Sequence, residues 1–356
     1  MDKLKKYFST LSSQGLPDIS QYLPFGNKLG SHNWIGLEIN SDYVKFLKIH
    51  TNEHHQIEYF GMLPLKEGMV VKNEITDYAG IATIIKDHFR KQGITTKNIV
   101  VSVNYSTIIT KTLTVNKHLN SDEIEMRVWS EANNLFPNMI NEIYLDYVVA
   151  GVSPQDDTQL EIFVVACRRV NIKPYLEIMR LADLDLKAID VNCYALERSL
   201  SLIRRQFPNK TLALLNVGFS LITLIIVHEE NLNYTHELLY DGHKLMQQIQ
   251  QNDAKSETGE MLRKNLSLHL KHSLQFFYTS RPHIRIEQII LSGDCAALIP
   301  NLAEFIQEET GKETVISNPF QDMKLAPYLD NASKDEISLY APAFMQCCGL
   351  ALYQLH

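Results

Sequence analysis

Cysteine is scarce in this sequence. The five residues are Cys167, Cys193, Cys295, Cys347 and Cys348. Their number is odd and no C-x-x-C occurs, which argues against a disulfide framework and a zinc ribbon. Three sit in apolar runs, where cysteine is a small core residue. The adjacent pair Cys347–Cys348 reads as two thiols on a buried helix, and a reducing, cytoplasmic compartment is expected. A basic surplus is also missing: 34 Lys and Arg face 41 Asp and Glu, a net charge of −7. That balance argues against a general nucleic-acid binder. The longest apolar run, Leu212–Val227, is broken by Asn216, Gly218, Ser220 and Thr223, and it is too short to span a bilayer comfortably. Any membrane role is therefore expected to run through partners. The stretch M-D-K-L-K-K-Y-F-S-T-L-S-S-Q-G-L-P starts basic without a continuous apolar segment, so it does not read as a secretory signal. There is no Walker A motif, G-x-G-x-x-G, H-E-x-x-H or G-x-S-x-G. His54-His55, His269-x-x-His272, Asp156-Asp157 and Arg168-Arg169 lack the companions that would make a metal site or a triad.

What is present is an ordinary globular composition. The hydrophobic fraction of 45% and charged fraction of 21% exclude a disordered chain, and 356 residues allow two or three domains with large cores. Residues 1–32, rich in Ser, Gly, Pro and Lys, read as an arm. From Trp34 the pattern predicts three strands and a helix at Asp77–Lys91 ended by Gly93. Further strands follow, then a helix from Ser121 to about Leu135 with Ser121 as its cap, stopping before Pro137. Strands near Ile143–Gly151 and Leu160–Cys167 precede a helix at Val170–Ala182, a strand at Leu186–Asp190 and a helix at Cys193–Gln206.

At Thr211 the opening pattern recurs. W-I-G-L-E-I-N-S-D-Y-V-K-F-L and L-A-L-L-N-V-G-F-S-L-I-T-L-I are each strand, turn, strand, with Glu38 opposite Asn216 and Asn40 opposite Gly218. A duplicated β-β-β-α unit with further β-α units implies an α/β fold of two lobes facing each other across a cleft.

These features resemble the actin-like ATPase superfamily, in which a hairpin turn from each lobe meets nucleotide phosphates. Backbone N–H groups of a tight turn wrap phosphate oxygens, a turn glycine permits close approach, and an acid at each strand end positions Mg²⁺. The likeness is closer to the PilM family of type IV pilus assembly. E-I-N-S-D-Y-V-K-F-L-K-I resembles its first phosphate hairpin. E-A-N-N-L-F-P-N-M-I-N-E-I-Y-L-D-Y, V-V-A-C-R-R-V-N-I-K-P-Y-L-E-I-M-R-L-A-D-L, H-S-L-Q-F-F, S-G-D-C-A-A-L-I-P-N-L, N-P-F and A-P-A-F-M-Q-C-C-G-L-A-L resemble later family segments in order, from about Trp34 to Tyr353. FtsA and the cytoplasmic part of GspL are more distant relatives by fold. The resemblance implies an actin-like fold with these divisions: an arm at 1–32; a lobe 1 core at 33–97 completed by a helix at 340–354; an inserted subdomain at 98–184; a connecting strand and helix at 185–210; and lobe 2 at 211–339 with a truncated nucleotide-clasping subdomain.

The departures from the family pattern gather on the nucleotide site. Where the family's hairpins read D-I-G-S and D-I-G, this chain has Glu38, Asn40 and Ser41, then Asn216 and Gly218. Where the family has S-G-G-G it has Ser292, Gly293 and Asp294, whose acid would face phosphates or ribose and repel them. Gly218, Ser220, Lys45 and Gly293 remain of the family pattern in this degenerate site. Asn40 is the best non-glycine residue for a left-handed turn, and the stretch Asp241–Gln275 is shorter than in the family, enough for two helices joined by a turn. No cofactor is expected; ATP with Mg²⁺ belongs to the alternative in which the site still binds.

The resemblance further implies a cytoplasmic structural adaptor, peripheral to the inner membrane through PilN. Its N-terminal peptide would occupy a groove between the lobe 1 core and the inserted subdomain. Candidate groove residues are Trp129, Leu135, Phe136, Pro137, Tyr144 and Tyr147. Other expected partners are platform proteins and hexameric motor ATPases, with the protein as a ring or scaffold between them and no nucleic acid. The alternatives are an ATP-dependent switch of the same family, an FtsA-like or GspL-like scaffold, and a sugar-kinase-like enzyme, for which no catalytic acid stands out.

Overall fold

The computed structural model describes residues 33–51, 54–137, 139–229, 231–239, 257–299, 301–329 and 331–353. The arm at 1–32 and the first part of the shortened stretch, 240–256, lie outside the described residues.

The predicted duplication is present strand for strand. Lobe 1 opens with β1 (Ile35–Ile39), β2 (Tyr43–Thr51) and β3 (His55–Pro64), then a small hairpin, β4 (Val70–Val71) and β5 (Glu74–Ile75). Helix α1 (Tyr78–Lys91) and β6 (Asn98–Val103) follow. Lobe 2 repeats the start with β11 (Leu212–Val217), β12 (Leu221–His228) and β13 (Asn231–Leu239). In each lobe the three opening strands are antiparallel neighbours. The first then pairs in parallel with a later strand, and that one with another: β6 and β10 (Asp185–Val191) in lobe 1, β14 (Gln288–Ser292) and β15 (Glu313–Ile316) in lobe 2. The two sheets thus share one order, β3-β2-β1-β6-β10 and β13-β12-β11-β14-β15, with β16 (Lys324–Leu325) added beside β3.

Alternation within the strands decides what each face meets. Ile35, Leu37, Val44 and Phe46 face α1 and α3 (Arg169–Ala182), joining Ile81, Ile85, Phe89, Ile178 and Met179. Leu47 and Ile49 face the other way, against Phe344, Cys347 and Cys348 at the start of α9 (Met345–Ala351). Gly36 lets α9 lie on β1: a Cβ there would sit 2.4 Å from the Ala351 nitrogen. Helix α4 (Asn192–Arg204) connects the lobes, and its Leu196, Leu200 and Ile203 pack with Leu212, Leu214, Ile225 and Ile290 of the lobe 2 sheet. The opposite face of that sheet packs on α5 (Glu257–Ser280) and α7 (Leu302–Thr310). Each fully buried aliphatic side chain contributes about 1.5–3 kcal/mol, so these two-sided sheets are the rigid frame of the cleft. All five cysteines are buried thiols.

Several boundaries move. β6, read from sequence as the start of the inserted subdomain at 98–184, pairs with both β1 and β10 and is a central strand of lobe 1. Helix α3 packs on lobe 1 as well. The insert is therefore the three-stranded sheet β7 (Ile108–Asn116), β9 (Asp156–Arg168) and β8 (Ile143–Ser153), covered by α2 (Ser121–Leu135). Asn120, rather than Ser121, caps α2: its Oδ1 accepts from the Asp122 and Glu123 amides, and Glu123 accepts from the Asn120 amide at 2.8 Å. This capping box satisfies otherwise orphaned N–H groups. Lobe 2 ends before 339, because β16 pairs with β3 and Ile337 of α8 (Asn331–Tyr340) packs with Leu47 and Ile57. Between β14 and α7 stands a separate short helix, α6 (Asp294–Leu298).

Candidate functional site

Where the two hairpins face each other lies a cleft of about 650 Å³ of empty space, partly open to solvent. Glu38, Asn40 and Lys45 line it from lobe 1, and Asn216, Gly218, Ser220, Thr223, Gly293 and Asp294 from lobe 2, with Asn73, Asn104, Tyr175 and Gln346 around the rim. Most of these side chains are neutral amides and hydroxyls.

The β1–β2 turn is closed by its own asparagine. The Asn40 amide donates to Tyr43 O at 3.0 Å, and its Oδ1 accepts from the Asp42 amide at 2.9 Å and the Tyr43 amide at 2.8 Å. This is the self-capped turn that asparagine favours. Asn40 is not among the residues with positive φ, so the side chain, and not a left-handed backbone, is what the position uses. Its Nδ2 crosses the cleft and donates to Asp294 Oδ2 at 2.9 Å.

In lobe 2 the Gly218 amide closes the β11–β12 turn on Leu221 O at 3.0 Å. The glycine that its position requires is Gly293: φ is +94°, and a Cβ there would lie 2.5 Å from Val217 O. This turn aims Asp294 into the cleft. Ser292 does not reach the cleft; fully buried, it donates to Asn216 Oδ1 at 3.0 Å. Ser41 also misses the cleft lining and donates to Asp42 Oδ2.

Lys45 is the centre of the arrangement. Strand register puts it opposite Glu38, on the α9 side of the sheet, and it is 2% exposed. Its Nζ lies 2.8 Å from Glu38 Oε1 and 3.0 Å from Asp294 Oδ1, and it donates to Ala343 O at 2.8 Å. Burial alone would lower the Lys45 pKa; the Asp294 and Glu38 carboxylates outweigh it and hold the ammonium charged, well above the usual lysine range. Burial pushes Glu38 up from the ordinary carboxylate value, and Lys45 only partly offsets this. Glu38 Oε2 is buried with no hydrogen-bond partner. Asp294, expected from sequence to confront phosphates, instead neutralises Lys45 and receives Asn40.

A second group of contacts joins the lobes nearby. Asn73, at the tip of the β4–β5 hairpin, donates to Ser220 O at 3.3 Å and accepts from the Ser220 hydroxyl. Lys72 and Asn73 both have positive φ, 52° and 63°, the geometry of a two-residue hairpin turn. The K-N pair between V-V and E-I carried that signal in the sequence; the contact with Ser220 had none.

The proposed groove residues do not converge. Leu135 and Phe136 line a narrow cavity of about 260 Å³ between α2 and the insert's sheet, with Ile109, Lys111, Glu131 and Leu145. Lys111 pairs with Glu131 at 2.5 Å beside it. Tyr147 belongs to the insert's own small core. Tyr144 faces the lobe 1 core, with the Arg169 guanidinium 4.4 Å from its ring centre. Trp129 is half-buried and Pro137 exposed, neither lining the cavity. Ile109 and Lys111 went unnoticed in the sequence because an alternating strand marks one face without saying what covers it. Among the described residues, no three His, Cys, Asp or Glu are grouped to hold a metal ion, and no helix is long and apolar enough to cross a membrane.

A family profile described as type IV pilus assembly protein PilM matches residues 36–268 and 252–355. The structure is similar to a solved PilM–PilN type IV pilus biogenesis complex at a TM-score of 0.72 and 22% identity, covering 90% of this chain and 98% of that one. More remote is the ethanolamine utilization protein EutJ from Carboxydothermus hydrogenoformans, with a TM-score of 0.48, 10% identity, and 90% and 89% of the two chains covered. The cytoplasmic domain of EpsL, an inner-membrane component of the Vibrio cholerae type II secretion system, has a TM-score of 0.39, 10% identity, and 90% and 94% covered.

Proposed function

This chain belongs to the PilM family of type IV pilus assembly proteins, and from that premise we propose that it is an adaptor that binds the N-terminal cytoplasmic peptide of PilN and does so without using ATP. The observation that carries the second half is the closed chemistry of the hairpins. The Asp42 and Tyr43 amides, which a phosphate would need, are taken by Asn40 Oδ1. The lysine that would meet a phosphate is held between Glu38 and Asp294. A triphosphate entering there must break those contacts and bring its charge against two carboxylates, so Mg²⁺ and ATP do not fit the residues present. The first half is supported by the similar structure, whose description names PilN as the partner. Docking on a PilN peptide would place the protein at the inner membrane, where platform proteins and motor ATPases are the further partners of this reading.

Two titrations test the reading. A fluorescent ATP analogue with Mg²⁺ is expected to show no saturable binding in the micromolar range, and a micromolar dissociation constant would restore the nucleotide-switch alternative. A synthetic peptide of the PilN N-terminus is expected to bind at tens of micromolar or tighter, measured by fluorescence anisotropy. Absence of binding at that level removes the adaptor's main support.

A further inference from the structure

The cleft is bridged a third time, away from the Lys45 cluster. Glu237 lies on β13, the edge strand of the lobe 2 sheet, opposite Thr223 of β12. Its Oε2 accepts from the Ser106 amide at 2.8 Å, and its Oε1 accepts from the Tyr105 amide at 3.2 Å and from Asn192 Nδ2 at 2.5 Å. Tyr105 and Ser106 stand where the chain leaves β6 for the inserted subdomain. Asn192 is the first residue of α4, the helix joining the lobes, and is 1% exposed. Its Oδ1 in turn accepts from the Tyr105 amide at 3.0 Å and the Cys193 amide at 2.8 Å. One carboxylate therefore gathers donors from the root of the insert and from the connecting helix, and carries them on lobe 2.

We propose that Glu237 is the bolt of a ligand-independent closure: with the Asn73–Ser220 and Asn40–Asp294 bridges it fixes the spacing of the two lobes and ties that spacing to the root of the inserted subdomain. The geometry explains why one bridge would not suffice. In lobe 2 the anchors fall on β13, on the β11–β12 turn and just past β14, so Glu237 and Asp294 are separated by three strand spacings, about 14 Å at roughly 4.8 Å each. A single contact leaves a pivot, whereas contacts at both ends of that line oppose rocking and twisting alike. The acceptor is a charged oxygen pair and each donor is oriented by its own backbone or by a buried amide, which makes these stronger than neutral hydrogen bonds. In a two-lobed fold whose cleft is bridged by a ligand, the ligand's differential affinity sets the population of the closed form. Here the chain's own side chains occupy that role. The inference does not rest on loss of ATP affinity, since a protein closed by its own bridges could still admit a small molecule to the space beside them.

The test is hydrogen exchange read by mass spectrometry on the full chain without added nucleotide, together with small-angle scattering. Removing an acceptor speeds exchange at Tyr105 and Ser106 whatever the wider role of Glu237, so the informative amides are remote ones, Asn40–Tyr43 and Gly218–Leu221. Glu237→Ala is expected to raise exchange at both remote turns severalfold and to increase the radius of gyration. Asp294→Ala is expected to raise exchange reciprocally at Tyr105 and Ser106. Glu237→Gln keeps one acceptor oxygen and is expected to give an intermediate rise; it is read in the same way if the alanine variant does not fold. Faster exchange confined to Tyr105, Ser106 and the start of α4, with the remote turns and the radius of gyration unchanged, overturns the proposal.

Discussion

Lys45 is a cation with two carboxylates and a carbonyl around it, and removing it exposes how much the site depends on charge pairing. Lys45→Met keeps the volume and leaves Glu38 and Asp294 facing each other in a buried setting. Losing one partner of a buried ion pair costs about 3–5 kcal/mol, so urea unfolding is expected to show a loss of that order. Glu38 predicts the opposite. Its folded pKa is raised above the ordinary value of 4.5 by burial, so over the interval between 4.5 and that raised value the native state holds a proton that the unfolded chain has released. Stability from this group is present below 4.5 and is lost as pH rises through the raised folded value. Glu38→Gln removes the charge while keeping an acceptor for Lys45. Its melting temperature is expected to equal or exceed that of the parent at pH 7, with the difference vanishing toward pH 4.5; a lower melting temperature at pH 7 would show that the Glu38 charge is stabilising after all. The sequence made Glu38, Asn40 and Asp294 visible as departures from a glycine-and-aspartate pattern, with Lys45 retained. It could not show that Asn40 would satisfy its own turn, because that depends on a rotamer, nor that Asp294 would find Lys45, because they are 249 residues apart.

The elements were legible where periodicity was strong and blurred where pairing decided membership. The strand N-I-V-V-S-V was plain, yet only its hydrogen bonds to β1 and β10 assign it to lobe 1. Asn120 and Ser121 are both good caps, and the Glu123 side chain, three residues from Asn120, decided between them. The α4–α9 crossing is an element-scale fact that small residues announce without explaining. A Cβ on Gly349 would lie 1.7 Å from Ala195 O, so the two helix backbones touch there. Arg198 of α4 then donates to Gly349 O at 2.7 Å and pairs with the buried Asp190 at 2.9 Å. Gly349→Ala must push the helices apart and disturb that bridge. Overpacking typically costs about 1–3 kcal/mol, and a contact against two stiff backbones belongs at or above the top of that range. Thermal unfolding read by circular dichroism checks this, and an unchanged melting temperature would mean that the two helices part there at no cost.

At the scale of the whole molecule the duplication was readable because two copies of one strand-turn-strand pattern stood in the same chain, and both sheets adopt the same order. What pattern could not reach was the relation between lobes, which joins side chains from distant parts of the chain: Asn40 and Lys45 with Asp294, Asn73 with Ser220, and Glu237 with the root of the insert. That relation leads to a prediction about nucleotide. A ligand present at 100 times its dissociation constant stabilises the folded state by about 2.7 kcal/mol, so millimolar Mg-ATP acting on a site of micromolar affinity produces a clear thermal shift. This chain is expected to show none. Two physical causes are distinguished: the β1–β2 turn closed by Asn40 with Asp294 held beside it, and the stretch from Asp241, expected from sequence to be shorter than in the family. Asn40→Gly with Asp294→Gly frees the Asp42 and Tyr43 amides and removes one carboxylate while leaving the stretch from Asp241 unchanged. A thermal shift with Mg-ATP in the double variant, absent in the parent, assigns the loss to turn chemistry. No shift in either assigns it to a cause outside these turns, because free amides and a less acidic cleft would then be insufficient to hold the nucleotide. A shift in the parent itself removes the premise that the cleft has stopped serving ATP.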